Sequence, residues 1–197
     1  TTTGFGSFAA GTYTKSNGSY ASALGQYSEA NGWSSFAAGA NTKAEGSASA
    51  AIGLGTQSNG YASLVIGYAN DTLLAKQTAL TPETPLFIIG NGASPILPSN
   101  AMVVQYDGNV GIGANSPKSK LVVNGALGLK LKKETTNGGT VVLDNSSSVW
   151  YFTGTATITL PAANLCDNRV YTLVNRSASA RSISNYTTLT GVVNSSI

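Results

Sequence analysis

Two columns of glycine recur every 14 residues through the first part of the chain. One column holds Gly11, Gly25, Gly39, Gly53 and Gly67, and the other holds Gly4, Gly18, Gly32, Gly46 and Gly60. A fixed repeat of this kind is typical of stacked structural units, each of which contacts only its neighbours along one axis. The repeat constrains the fold strongly, because every unit must follow the same backbone path.

Small side chains alternate between the glycines, which predicts strands with one face in a space too narrow for leucine or phenylalanine. The predicted inward columns hold Ser7, Ala21, Ser35, Ser49 and Ser63; Ala9, Ala23, Ala37, Ala51 and Val65; Thr14, Ser28, Thr42 and Thr56; and Ser16, Ala30, Ala44 and Ser58. Fourteen extended residues span about 46 Å, enough for two short strands and two turns. Residues 1–70 are therefore predicted to form a parallel β-roll, an all-β solenoid of 14-residue coils.

The opposite face of the first strand in each coil carries larger apolar side chains. These are Phe8, Leu24, Phe36, Ile52, Leu64 and Ile66. A single solenoid would leave this stripe in water, and soluble monomers rarely expose so continuous an apolar patch. The stripe is therefore predicted to be an interface between identical chains arranged around an axis.

The repeat, in the forms SFAAG, SYASALG, SASAAIG and YASLVIG, resembles the head repeat of trimeric autotransporter adhesins, which also recurs in phage tail fibres. The resemblance covers residues 4–70. It implies a left-handed parallel β-roll packed three to a bundle, so the six stripe residues become the expected homotrimer interface.

Residues 71–125 are predicted to form a β connector. Expected strands cover Leu86 to Ile89 and Met102 to Gln105, and Asp107-Gly108 is a hairpin-turn signal. Pro117, preceded by Ser116, suits the first position of a single helical turn. Residues 86–125 resemble a connector module of phage tail fibres, injection-machine fibres and large bacterial surface proteins.

Residues 126–197 are predicted to form a small β-sandwich-like domain. The expected strands are Val141 to Leu143, Val149 to Phe152, Ala156 to Leu160, Val170 to Val174 and Ile183 to Leu189. Turn signals separate these short alternating stretches, as in sandwiches. The pattern resembles a domain appended to bacterial and phage fibre proteins, and that resemblance implies no chemistry.

The residue inventory argues against catalysis. The chain has no histidine, one cysteine (Cys166) and eight carboxylates, and only 10% of its residues are charged. Histidine-based triads and metal sites are therefore excluded, and no catalytic residue, metal or cofactor is predicted. Gly108, Gly111 and Gly113 do not follow the order of glycines found in phosphate-binding loops. Asp107, Asn109 and Asn115 favour a structural turn over a calcium-binding loop.

The predicted partners follow from charge and apolarity. A basic cluster at Lys130, Lys132 and Lys133 favours a solvated strand edge over nucleic-acid binding. No run of 18 apolar residues is present, so no membrane insertion is predicted.

Cys166 is expected to pack as a small hydrophobic residue after Leu165.

Four aromatic residues are candidate receptor contacts: Tyr13, Tyr27, Trp33 and Tyr61. Amphipathic rings on a polar surface stack on sugars or bind protein, and packing between neighbouring coils or chains is the alternative. Ice binding is rejected, because it requires two parallel threonine columns on one flat outer face, whereas Thr14, Thr42 and Thr56 form one predicted inward column.

These observations favour a non-enzymatic, trimeric, receptor-binding or spacer fibre of a phage tail or contractile injection machine, attaching to a glycan or protein on a cell surface. The location would be extracellular, and both ends of the sequence are expected to be cut points in a longer protein. A bacterial adhesin of trimeric autotransporter type is the main alternative, which genomic neighbours would distinguish. A polysaccharide-degrading tailspike is disfavoured, because no two carboxylates lie within three residues of each other.

Overall fold

A computed structural model describes residues 1–73, 77–144, 146–160, 170–178 and 183–184. Throughout these ranges the chain is all-β, with strands and turns and no helix. The chain divides into two compact units, Thr1–Ala126 and Leu127–Ile197. The predicted all-β fold class is therefore confirmed.

The first unit contains a nine-stranded sheet and a four-stranded sheet. The nine-stranded sheet holds β1 (Phe8–Thr12), β3 (Ser22–Gln26), β5 (Phe36–Ala40), β7 (Ala50–Leu54), β9 (Leu64–Tyr68), β10 (Pro85–Asn91), β11 (Asn100–Gln105), β12 (Val110–Ile112) and β13 (Leu121–Val123). The four-stranded sheet holds β2 (Lys15–Ser16), β4 (Glu29–Ala30), β6 (Lys43–Ala44) and β8 (Gln57–Ser58).

Successive coils stack in parallel and in register. Phe8 pairs with Ser22, Ser22 with Phe36 and Phe36 with Ala50, so paired residues of β1–β7 stand 14 positions apart. The short strands keep the same spacing. The chain alternates between the two sheets as it advances, which confirms a parallel β-solenoid.

The interior between the two sheets is filled by small side chains. Ala23, Ala37 and Ala51 from the long strands and Ala30 and Ala44 from the short strands are completely buried. The serine and threonine columns are buried beside them, and several hydroxyls donate to carbonyls across the interior, such as Ser16 Oγ to Ala21 O at 2.9 Å. The residues predicted to point inward on both strands of the coil do so.

Backbone stacking leaves no room for side chains at the glycine columns. A Cβ on Gly39 would overlap the carbonyl oxygen of Gly53 in the next coil, and Gly39 also has a positive φ of 132°. A Cβ on Gly32 would overlap the carbonyl oxygen of Gly46. The periodic glycines are therefore required by the close approach of neighbouring coils.

The nine-stranded sheet continues beyond residue 70. β10 pairs in parallel with β9, β11 and β12 are added antiparallel, and β13 pairs in parallel with β12. The predicted hairpin at Asp107-Gly108 joins β11 to β12, with Gly108 at a φ of 81°. The helical turn predicted at Pro117 is wrong: Pro117 is buried in a bent connection between β12 and β13.

The four-stranded sheet ends in a side chain that imitates the next strand. Gln57 N donates to Asn70 Oδ1 at 2.8 Å, and Asn70 Nδ2 donates to Gln57 O at 3.0 Å. In the preceding coil the equivalent donor, Lys43 N, bonds the backbone carbonyl of Thr56 instead. The carboxamide of Asn70 thus satisfies the two backbone groups of β8 that would otherwise face a further coil.

The second unit is also built from parallel coils, so the predicted sandwich-like arrangement is wrong. One sheet holds β14 (Leu131–Glu134), β16 (Val149–Phe152) and β18 (Thr172–Asn175), and the other holds β15 (Thr140–Val142), β17 (Thr157–Thr159) and β19 (Ile183–Ser184). Every pairing is parallel, and consecutive strands alternate between the sheets. A sandwich instead joins antiparallel neighbours. Trp150, Phe152, Leu143 and Ile158 form the core of this unit.

Some predictions concern residues outside the described ranges. Leu165 and Cys166 fall there, as does the end of the predicted strand after Ser184.

Replacing Ala37 with leucine is expected to destabilise the first unit by about 1–3 kcal/mol or more, because a fully buried position has no space for three extra carbons. Ala40→Leu is the matched control, because Ala40 pairs with Leu54 in a column that already holds a leucine. Chemical denaturation of both variants tests the prediction. Equal unfolding free energies for the two variants would contradict the narrow interior.

Candidate functional site

The six predicted interface residues lie on the outer face of the nine-stranded sheet. Phe8, Ile52 and Leu64 are 56%, 40% and 37% exposed, and the other three are half-buried. They alternate along the strands with the inward alanines and, in β9, with the buried Val65, so they point away from the interior. The structure of one chain leaves them uncovered, and their role as a trimer interface stays a prediction.

The first pair of predicted receptor contacts forms one exposed stack. The rings of Tyr13 and Tyr27 are parallel within 8°, with centroids 4.9 Å apart, and they are 69% and 47% exposed. Both residues have positive φ at the same turn of successive coils, where Asn41 follows them. Contact between coils and exposure to solvent therefore occur together at this turn.

A second aromatic group lies at the other turn of the coil. Phe5, Tyr20 and Trp33 make edge-to-face contacts in series, at 5.5 Å and 6.5 Å between centroids. All three are more than half exposed, whereas the predicted contact Tyr61 is half-buried. Sequence reasoning missed Tyr20, although it stands one residue after the column that holds Phe5, Trp33 and Tyr61.

A column of alternating charge crosses the outside of the short strands. Glu29 lies between Lys15, at 3.1 Å, and Lys43, at 3.8 Å, each one coil away. The hydrogen bond from Lys15 is the main cause that lowers the pKa of Glu29 below its ordinary value of 4.5, with Lys43 adding to the effect and partial burial opposing it. The column supports the stacking of coils, because each ion pair joins residues of neighbouring coils.

A groove of about 660 Å³ opens at the end of the long strands. Leu54, Tyr68, Pro95 and Pro98 supply its apolar lining, and Asn41 and Asp71 lie among its polar groups. Asp71 is already engaged, because its carboxylate accepts from Leu73 N and Asn115 Nδ2. Sequence reasoning missed this groove, since its residues come from coils and loops far apart in the chain.

One lysine of the basic cluster in the second unit, Lys132, has structural partners. Lys132 lies 4.3 Å from the centroid of the Trp150 ring and 3.8 Å from the Asp144 carboxylate. It belongs to β14, an edge strand of its sheet. This placement accords with the predicted strand edge.

Metal-ligating side chains are scattered across the ranges that the structure describes. Within those ranges no group of three or more histidine, cysteine, aspartate or glutamate residues could hold a metal ion. Asp107 accepts from the backbone and side-chain nitrogens of Asn109 at 2.9 Å, which is a turn arrangement. The described part of the chain also contains no helix with the length and apolarity to span a bilayer.

No protein-family model, curated protein or solved structure matches the chain. Its function is therefore inferred from its own side chains and surfaces.

Replacing Glu29 with glutamine is expected to lower the unfolding free energy near neutral pH by less than about 1 kcal/mol, the usual range for an exposed ion pair. Because folding lowers the pKa of Glu29, its contribution is present above its ordinary value of 4.5 and is lost as pH falls through the lower folded value. The parent and the variant should therefore converge in acid. Denaturation across this pH range tests the prediction, and a pH-independent difference would contradict it.

Proposed function

We propose that the chain forms part of a homotrimeric attachment fibre, in which 14-residue coils and a β connector build the shaft of each protomer. The observation that carries this proposal is the uncovered apolar stripe on the nine-stranded sheet, where Phe8, Ile52 and Leu64 remain exposed. Three copies around an axis would bury the stripe, because cyclic symmetry presents the same surfaces to every neighbour.

The proposed mechanism is mechanical and multivalent. Backbone hydrogen bonds between in-register coils resist bending and stretching along the stack. Trimerisation would place three copies of each recognition surface on one particle, so weak single contacts would combine into firm attachment.

The aromatic groups are the proposed target contacts. Tyr13 and Tyr27 occupy one turn, and Phe5, Tyr20 and Trp33 occupy the other, whereas the stripe runs along the strands between these turns. One coil therefore provides separate surfaces for self-association and for target binding. A cell-surface glycan suits exposed aromatic rings, which stack on sugar faces, and a protein receptor is the other class they serve.

The setting that fits this proposal is extracellular, on the tail of a phage or a contractile injection machine. The proposed role is non-enzymatic, and the absence of histidine from the sequence supports it.

In solution the protein is expected to be a trimer of about 60 kDa, three times the chain mass of 20.0 kDa. Light scattering coupled to size exclusion measures this mass, and sedimentation equilibrium checks it over a range of concentrations. A protein that stays at 20.0 kDa throughout would refute the trimer.

Replacing Tyr13 and Tyr27 together with asparagine is expected to reduce binding to target cells about tenfold or more, because two exposed contact rings are lost. Asparagine tolerates positive φ, and Asn41 already occupies the same turn, so the fold should persist. Flow cytometry of labelled protein on a panel of bacterial strains is the measurement.

The control for this experiment is Tyr106→Asn, which removes an exposed tyrosine outside both aromatic groups. The double variant should lose binding while the control retains it. Equal binding by parent, control and double variant would show that the Tyr13 and Tyr27 stack is not a target contact.

A further inference from the structure

The groove at the end of the long strands lies on the same turn of the coil as the Tyr13–Tyr27 stack. In successive coils this turn is closed by the same backbone hydrogen bond, as from Asn41 N to Gln26 O at 2.9 Å. The residues at the turn stand 14 positions apart and all have φ between 43° and 63°: Tyr13, Tyr27, Asn41, Gly55 and Ala69. The last three of them line the groove. The groove therefore continues the aromatic stack along one edge of the solenoid.

Gly55 leaves the groove open. The only described atom within 4 Å of a Cβ built there would be Pro95 Cγ, at 3.8 Å, which is ordinary contact. The positive φ of Gly55 does not require glycine, because tyrosine, asparagine and alanine adopt nearly the same φ at this turn of other coils. At Gly39, by contrast, a neighbouring backbone occupies the place of a side chain. The glycine at position 55 thus serves the open space rather than the stacking of coils.

The lining of the groove combines apolar surfaces with uncharged polar groups. The half-buried ring of Tyr68 and the rings of Pro95 and Pro98 provide the apolar surfaces. The carboxamide of Asn41 and the hydroxyl groups of Tyr68 and Thr72 make no hydrogen bond with other described residues. Each of these three groups can both donate and accept a hydrogen bond. They are therefore free to bond a ligand that carries hydroxyl groups.

The charge of the lining restricts the ligand further. Among the described residues of the lining, Asp71 has the only formal charge, and no lysine or arginine accompanies it. An anionic ligand would face this carboxylate without a cation in the described lining to pair with it, and like charges repel. The electrostatics of the groove therefore favour a ligand without negative charge.

We infer that the groove is a binding site for a neutral saccharide, and that the same glycan chain continues along the turn over Tyr27 and Tyr13. A sugar ring has an apolar C–H face that packs on aromatic and proline rings, and hydroxyl groups at its rim that donate and accept. The groove volume of about 660 Å³ lies within the roughly 300–1,000 Å³ typical of small-ligand sites. This inference rests on the proposed attachment role and names the chemical class of the target.

The spacing of the coils fits one continuous glycan. Successive coils are ~4.8 Å apart, so Tyr27 stands two coils, or about 10 Å, from Gly55 along the stack. A short oligosaccharide spans that distance. The groove would hold one end of the chain, and the exposed tyrosine rings would stack on the sugars that follow.

The test uses the full chain on an array of neutral hexose and N-acetylhexosamine oligosaccharides, with sialylated oligosaccharides beside them. Two variants change the groove in different ways. Gly55→Asn places a carboxamide in the open space, and asparagine suits the positive φ, as it does at Asn41. Tyr68→Leu removes the ring and its hydroxyl, and the paired Leu54 shows that leucine fits this column.

The matched control is Gly138→Asn. Gly138 has a φ of 68°, lies in the second unit and has no described atom within 4 Å of an added Cβ. Asn41→Gly removes a free carboxamide from the groove and retains a suitable residue for the φ of 54°, so it replaces either groove variant that fails to fold. Far-UV circular dichroism checks the fold of every variant.

The parent is expected to bind neutral oligosaccharides in preference to sialylated ones. Isothermal titration calorimetry then uses the neutral oligosaccharide with the strongest array signal. Each groove variant should raise its dissociation constant about tenfold or more, as for loss of a central contact. The control should leave the dissociation constant unchanged.

The possible failures are distinguishable. Neutral oligosaccharide binding that survives in the groove variants would overturn the groove assignment and leave the proposed attachment standing. A parent that attaches to bacterial cells but binds only sialylated oligosaccharides, or none on the array, would overturn the neutral saccharide and also leave attachment standing. A parent that binds neutral oligosaccharides through the groove yet attaches to no strain would contradict the attachment role alone. A parent that binds neither cells nor oligosaccharides would overturn both.

Discussion

The close approach of successive coils and of the two sheets governs the first unit. At Gly39 the backbone of one coil lies where the side chain of another would be, and the interior between sheets admits alanine and little more. Because each coil buries so little apolar area inside, its folding free energy has to come largely from stacking on its neighbours. In-register hydrogen bonds and the charge column at Glu29 follow from that arrangement.

The interior and the exterior change together at β9. The inner column holds Ala23, Ala37 and Ala51 and then enlarges to Val65, Ile88 and Val103, which form a separate apolar cluster with Leu73. The four-stranded sheet ends at β8. The later strands of the nine-stranded sheet therefore no longer face a second sheet so close that only alanine fits between them. Larger residues fill that space on the inside, while the outer face of the same strands also gains large apolar residues.

The sequence predicted the repeating part well because close packing admits only glycine at two columns and mainly small side chains at the inward columns. Glycine, alanine and serine positions specified the parallel register and the inward face without ambiguity. The second unit was misread, because alternation with period two marks strands without indicating whether neighbours run parallel or antiparallel. Its coils also lack a fixed length: Leu131 pairs with Val149, and Val149 pairs with Thr172, which are separations of 18 and 23 residues.

The candidate surfaces also divide into those that the sequence pattern could predict and those that it could not. The stripe and the Tyr13–Tyr27 stack followed from columns visible in the sequence, since residues 14 apart become neighbours. The groove near Tyr68 could not be predicted, because Pro95 and Pro98 reach it through a connection with no repeat. The prediction of a helical turn at Pro117 was wrong for a related reason. The local sequence suited the start of a helix, but the short connection between β12 and β13 forms a bend instead.

The carboxamide of Asn70 has a consequence for how such a protein avoids aggregation. A solenoid whose last strand offers free amide and carbonyl groups is a template onto which a foreign strand can add, as in amyloid growth. At β8 both backbone groups of Gln57 that face that direction are already occupied by a side chain of the same molecule. The short sheet is thereby terminated chemically, by a single amide that mimics one further peptide unit and offers Gln57 no position for another chain.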